Sequence, residues 1–106
     1  MAYKYRWLGQ ALDDLSEEIG YVKREFGTRA ARKAENRVYE GISRLCMFPR
    51  SGVRYKNLMY NGNEVRMLHL RQVSAVYCFD EEIITLIALW NNRRDERKLE
   101  QAIASR

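Results

Sequence analysis

The 106-residue chain predicts an α+β fold in two layers, with a helical hairpin packed on one face of a mainly antiparallel sheet, in the order β-α-α-β-β-β and a closing helix. Three observations predict it. Two stretches with apolar residues at spacings of three and four lie back to back across Gly27-Thr28. From Val65 to Trp90 the pattern changes to short runs of β-branched, aromatic and other apolar residues separated by turn residues. A charged segment with helix-start chemistry at Asp95 then completes the chain.

Tyr3 to Leu8 alternates aromatic or apolar side chains with Lys4 and Arg6, the period of a half-exposed strand near a sheet edge, and Gly9 ends it. From Gln10 to Phe26, Leu12, Leu15, Ile19, Val22 and Phe26 make one buried seam, with Asp13, Asp14, Glu17, Glu18 and Lys23 on the opposite, solvated side. Gly27 stops this helix and Thr28 is read as the N-cap of the next. The second helix runs to about Met47 on Ala31, Ala34, Val38, Ile42 and Leu45. Pro49 and Gly52 terminate it. Val53 to Asn63 has no clear period, and Asn61-Gly62 marks either a tight hairpin or the entry to the next strand.

In 65–71, Val65, Met67, His69 and Arg71 share one face, while Arg66, Leu68 and Leu70 share the other. In 73–79, Val73, Ala75, Tyr77 and Phe79 oppose Ser74, Val76 and Cys78. Ile83 to Trp90 is apolar on both faces, as in a central strand covered on two sides. The hairpin covers one side; the last helix or a partner covers the other. That helix starts at Asp95 and carries a thin stripe of Leu99, Ala102 and Ile103.

This length supports one domain with one core, not separate catalytic and binding domains. With 46% hydrophobic and 31% charged residues and a single proline, the chain is globular rather than disordered. There is no signal-like apolar core and no run long enough for a membrane span, so a cytoplasmic protein is expected. Cys46 and Cys78 read as buried thiols, and one histidine argues against a metal site; no cofactor is implied. The net charge of +5 is concentrated, since residues 27–56 carry eight Lys/Arg against two Asp/Glu. Such a patch suits nucleic acid or an acidic protein partner, or is simply a solvated helix face.

The element order, with Phe48-Pro49-Arg50-Ser51-Gly52 after the second helix, resembles the RelE/ParE superfamily of bacterial toxins. Val65-Arg66, Ala75-Val76-Tyr77 and Asn91-Asn92-Arg93-Arg94-Asp95 fall in strands and a turn in the matching order. The resemblance implies a growth-inhibiting toxin of a type II toxin–antitoxin (plasmid-stabilisation) module, neutralised by a cognate antitoxin. It leaves a homodimer or a hetero-oligomer with the antitoxin open. Val65, Met67, Val76 and Cys78 make an apolar sheet face for the antitoxin to cover, unless the last helix covers it.

The superfamily's targets divide the reading further. RelE-like members cleave mRNA on the ribosome, and ParE-like members act on DNA gyrase without cutting nucleic acid. Metal-free RNA cleavage needs a base, an acid and cations around the phosphorane. Aligned on Val76-Tyr77, the nuclease lysines fall at Val65 and Met67, the strand arginine at Ser74 and the late tyrosine near Leu99; only Arg93 or Arg94 matches. A reduced set of His69, Arg71 and Arg93 remains as the candidate nuclease machinery. The missing lysines favour the ParE-like mode. Arg93 and Arg94 are the foremost target or nucleic-acid contacts, able to clamp phosphate or carboxylate unless they merely pair with Asp95 or Glu96; Arg66, Lys56 and Arg54 are further candidates. A degenerate member acting only as a binding module is the third reading.

Overall fold

A computed structural model describes residues 2–106. Strand β1 (Lys4–Trp7) leads into helices α1 (Gly9–Phe26) and α2 (Thr28–Met47), and strands β2 (Val53–Tyr60), β3 (Asn63–Leu70), β4 (Val73–Phe79) and β5 (Ile83–Asn91) follow before α3 (Glu96–Ser105). The five-stranded sheet has the order β1-β5-β4-β3-β2, antiparallel except for β1 against β5. The α+β, hairpin-on-sheet architecture is as the sequence predicts, with β1 at an edge and one more strand than the pattern revealed.

That extra strand is β2, which fills the stretch with no clear period. Its register with β3 breaks between Arg54 and Met59, and Lys56 sits at φ 52°, so no continuous alternation survives in the sequence. Asn61 and Gly62, at φ 49° and 80°, form the hairpin turn, because both central positions of such a turn need the left-handed region. The α1–α2 junction also differs in detail. Gly27, at φ 94°, is the boundary residue of both helices, and Thr28 is the first residue of α2 without a side-chain cap bond.

The helical layer packs Leu15, Val38, Ile42 and Leu45 against Leu68, Leu70, Val73, Ala75, Tyr77, Ile84, Leu86 and Leu89. The α1 seam is rotated from the predicted one. Ala11, Leu15 and Val22 are buried, while Leu12 and Phe26 are 46% and 67% exposed. Asp14, read as solvated, is also inside.

The opposite face of the sheet is covered by the chain itself. Leu99 and Ile103 of α3, with Tyr55 of β2, bury Val65, Met67, Val76, Cys78, Ile87, Ala88 and Trp90. Trp90 is on this side because Ile87 is an extra residue in β5: Val76 pairs with Ala88, but the adjacent Tyr77 pairs with Leu86. Beyond Leu86, β5 has no strand on its β1 side. There Asp14 Oδ2 accepts the Leu89 amide at 3.1 Å, and the Arg106 guanidinium donates to the Ile87 carbonyl at 3.0 Å. The two side chains join each other by bonds of 2.6 and 3.1 Å at only 12% and 9% exposure. This bidentate pair fastens the end of α3 to α1 across the irregular strand.

The Phe48–Gly52 turn is fixed just as closely. Tyr77, fully buried, donates its hydroxyl to the Pro49 carbonyl at 2.6 Å and accepts the Gly52 amide at 3.0 Å. A Cβ on Gly52 would lie 2.6 Å from that hydroxyl and 2.7 Å from the Met67 carbonyl. Gly52→Ala is therefore expected to lower stability by about 2 kcal/mol or more, through overpacking against atoms that cannot yield. Tyr77→Phe should lose about 1–3 kcal/mol by stranding two backbone groups. Urea denaturation measures both, and unchanged midpoints would refute the turn's role.

Candidate functional site

The last turn of the sheet gathers the side chains singled out in the sequence. A groove of about 620 Å³ is lined by Val53, Tyr55, Met67, His69, Arg71, Trp90, Asn92, Arg94, Glu96 and Leu99. A second cleft of about 420 Å³ lies towards α1, between Glu17, Glu18, Tyr21 and Arg24 on one wall and Asn91, Arg93 and Arg94 on the other. Arg94 borders both. Its guanidinium carbon lies 4.1 Å from the Trp90 ring centroid, a cation–π stack that holds the side chain along the ridge.

His69 is positioned by a relay that sequence reasoning missed. Asn92 Nδ2 donates to the Arg71 carbonyl at 2.8 Å, so its Oδ1 is left to accept, and Ser74 Oγ donates to it at 2.6 Å. Ser74 has then used its one proton and can only accept from His69 Nδ1, 2.6 Å away. Proton counting thus places hydrogen on Nδ1 and leaves Nε2 as the acceptor of the neutral ring. The one legible sign was a serine directly opposite His69 in an otherwise apolar strand.

Arg71 is not on the strand face assigned to it. It occupies the β3–β4 turn at φ 68°, a left-handed conformation unfavourable by about 1 kcal/mol for an L-residue, whose Cβ crowds the carbonyl oxygen. Asn92 holds the turn there, its amide donating to the Gln72 carbonyl at 2.8 Å. The groove therefore unites His69, Arg71 and Arg94, whereas Arg93 lines only the neighbouring cleft. Among the described residues neither Arg93 nor Arg94 pairs with an acid. Asp95 instead caps α3 and bonds Arg97, whose guanidinium and then amide hold the Asp95 carboxyl below its usual range.

Arg54, Lys56 and Arg66 each pair with an acid of the chain itself. Arg54 and Arg66 flank Glu64 at 3.0 and 3.4 Å, and Arg66 also donates to the Gly52 carbonyl at 3.0 Å. Lys56 bonds Glu100 of α3 at 2.8 Å. Two polar atoms bordering the groove lack protein partners: the Tyr55 hydroxyl and Trp90 Nε1. Burial, followed by the nearby Glu96 carboxylate, pushes the Tyr55 phenol up from its ordinary value. Among the described residues no three His, Cys, Asp or Glu side chains converge as metal ligands.

The proposed antitoxin face requires correction as an open surface. Val65, Met67, Val76 and Cys78 are 0%, 8%, 0% and 3% exposed, because Leu99 and Ile103 already occupy the space above them. The last helix covers that face.

Matched against known families, the chain falls in the toxin class of type II toxin–antitoxin systems. The family model described as "ParE toxin of type II toxin-antitoxin system, parDE" matches residues 5–96, and the chain belongs to that family. In structure it is similar to "Chromosomal ParDE TA system from P. aeruginosa", with a TM-score of 0.68 and 21% identity over 85% of this chain and 96% of that one. Comparison with curated protein sequences finds no match. No helix among the described residues is long and apolar enough to cross a membrane.

Cys78 reports directly on the α3 seal. Burial pushes its thiol up to about 11, so at pH 8 only about one molecule in a thousand carries the thiolate. The native protein should leave Cys78 unmodified by a thiol reagent, as followed by peptide mass spectrometry. Leu99→Asp should open the face and make Cys78 react at least about tenfold faster. Equal rates in both proteins would show that α3 does not seal the sheet.

Proposed function

We propose that this chain is a growth-inhibiting toxin that acts by binding a protein target of the ParE class, DNA gyrase, without cleaving nucleic acid, and that a cognate antitoxin neutralises it in the cytoplasm. The observation that carries the reading is the chemistry of the groove. It contains one imidazole and no lysine, and Arg94, one of its two arginines, is stacked on Trp90. The lysines needed to crowd a phosphorane are absent from the groove face of β3, and Arg54, Lys56 and Arg66 pair with Glu64 and Glu100. Arg93 and Arg94, unpaired with acids at the sheet's end, are suited instead to a carboxylate on a protein surface.

The antitoxin then has to grip a surface that α3 leaves open. Met47 and Phe48 are 62% and 64% exposed beside Tyr3, Pro49 and Phe79, around a depression of about 330 Å³. Large exposed apolar side chains next to a shallow pocket are suitable anchors for a partner segment.

One observation favours a second reading, a reduced nuclease. The Nδ1–H tautomer of His69 leaves Nε2 free to move a proton, with Arg71 and Arg94 bordering the same groove.

Induction of the chain in bacteria without antitoxin separates the readings. The expected outcome is growth arrest with DNA damage signalling and intact transcripts, matched by inhibition of purified gyrase. Arg93→Ala/Arg94→Ala should weaken that inhibition by about 30-fold or more, as loss of two interface anchors does. His69→Ala should retain full toxicity, and Phe48→Asp should remain toxic but escape rescue by the antitoxin. Cleaved transcripts that disappear with His69→Ala would replace this reading with the nuclease. Unimpaired growth on induction would replace it with a non-toxic binding module.

A further inference from the structure

We infer that the exposed face of α2 is a second interaction surface, which binds the backbone of a nucleic-acid duplex independently of sequence and apart from the toxin's target site. Arg29, Arg32, Lys33, Asn36, Arg37 and Arg44 recur at helical spacing and fall on one stripe, opposite the buried Ala31, Val38, Ile42 and Leu45. At 1.5 Å per residue the stripe is about 22 Å long. Glu40 is the one acid on it.

The fold leaves these cations without ion pairs, as it does Arg93 and Arg94. Among the described residues none of Arg29, Arg32, Lys33, Arg37 or Arg44 forms an ion pair, whereas Arg54, Lys56, Arg66, Arg97 and Arg106 all do. Their position also opposes helix stability. Arg29, Arg32 and Lys33 crowd the N-terminal turns of α2, where the helix dipole disfavours positive charge and where no acid or side-chain cap offsets it. Local stability therefore does not account for the stripe, whereas a polyanion would neutralise it.

The chemistry of the stripe selects among polyanions. Between Arg29 and Arg44 it presents no apolar anchor of the kind that carries protein–protein affinity. Tyr39, on its flank, is held edge-on to Trp7 at 6.3 Å, so the stripe itself has no aromatic platform for unstacked bases. What remains is a straight row of unpaired cations, complementary to a duplex that carries one charge per about 1.7 Å of axis. Guanidiniums suit phosphate contacts that fix position without reading sequence.

The test is fluorescence anisotropy of the full chain with mixed-sequence DNA and RNA duplexes across a salt series. Neutralising five phosphates gives a log–log salt slope of about −4.5 on DNA, and Arg29→Gln/Arg32→Gln/Lys33→Gln should reduce it to about −1.8, with at least about a tenfold loss of affinity at low salt. Arg93→Gln/Arg94→Gln should bind duplex like the wild type, which separates this surface from the target site. The triple variant should melt no lower than the wild type, since it relieves the dipole, so its loss of binding cannot be ascribed to unfolding. Whichever duplex binds more tightly identifies the preferred source of phosphate. Failure of both duplexes to bind, an unchanged slope in the triple variant, or equal competition by polyglutamate of matched charge would overturn the proposal.

Discussion

The arrangement depends on one extra residue in the central strand. Ile87 interrupts the β4–β5 ladder, and from that point the side chains of β5 exchange faces. Leu86 and Leu89 lie under the helical hairpin, while Ile87, Ala88 and Trp90 turn towards α3. Trp90 then gives Arg94 a ring to stack on, and the register shift brings Asn92 over the β3–β4 turn to order Ser74 and His69. The bulge lies where β5 has lost β1 as a neighbour, and the unpaired Leu89 amide and Ile87 carbonyl are taken up by Asp14 and Arg106. Burying such groups without partners would cost about 1–3 kcal/mol each.

Closing the chain in this way determines which surfaces are available for function. With α3 fastened at its middle by Lys56–Glu100 and just past its last residue by Arg106–Asp14, the sheet's second face is part of the interior. Arg54, Lys56, Arg66, Arg97 and Arg106 pair with acids of the chain itself. Charge without an acid partner includes the α2 stripe and the Arg93-Arg94 turn, and exposed apolar area includes Met47 and Phe48. The protein is thus divided into a basic helical side, an apolar corner at the end of α2 and an arginine-lined ridge, three surfaces of different chemistry on one small domain-sized body.

Much of the fold was legible because its strongest signals are periodic. The helical hairpin, β3 to β5, the edge position of β1 and the Asp95 cap all follow from spacing and cap chemistry. Strand β2 was not, because the irregularity around Lys56 destroys its alternation. The α1 seam was displaced because Leu12 and Phe26 satisfy the helical period while lying on its solvent flank, and the small Ala11 carries no comparable signal. In the site, the Arg93-Arg94 turn and His69 were visible as residues, but their partners were not. Ser74 and Asn92 meet His69 only through strand register, and Asp14 meets Arg106 from the far end of the chain. The apolar face at Val65, Met67, Val76 and Cys78 was correctly read as needing cover; a thin stripe of Leu99, Ala102 and Ile103 proved sufficient to supply it.

A double-mutant cycle on Asp14→Ala and Arg106→Ala, followed by urea denaturation, tests most directly whether the irregular strand and the closing helix are held as one unit. A largely buried, bidentate pair that also satisfies two strand groups should show a coupling energy of about 2 kcal/mol or more. Effects that add to within about 0.5 kcal/mol would contradict it, and α3 would then be fastened by its apolar stripe alone.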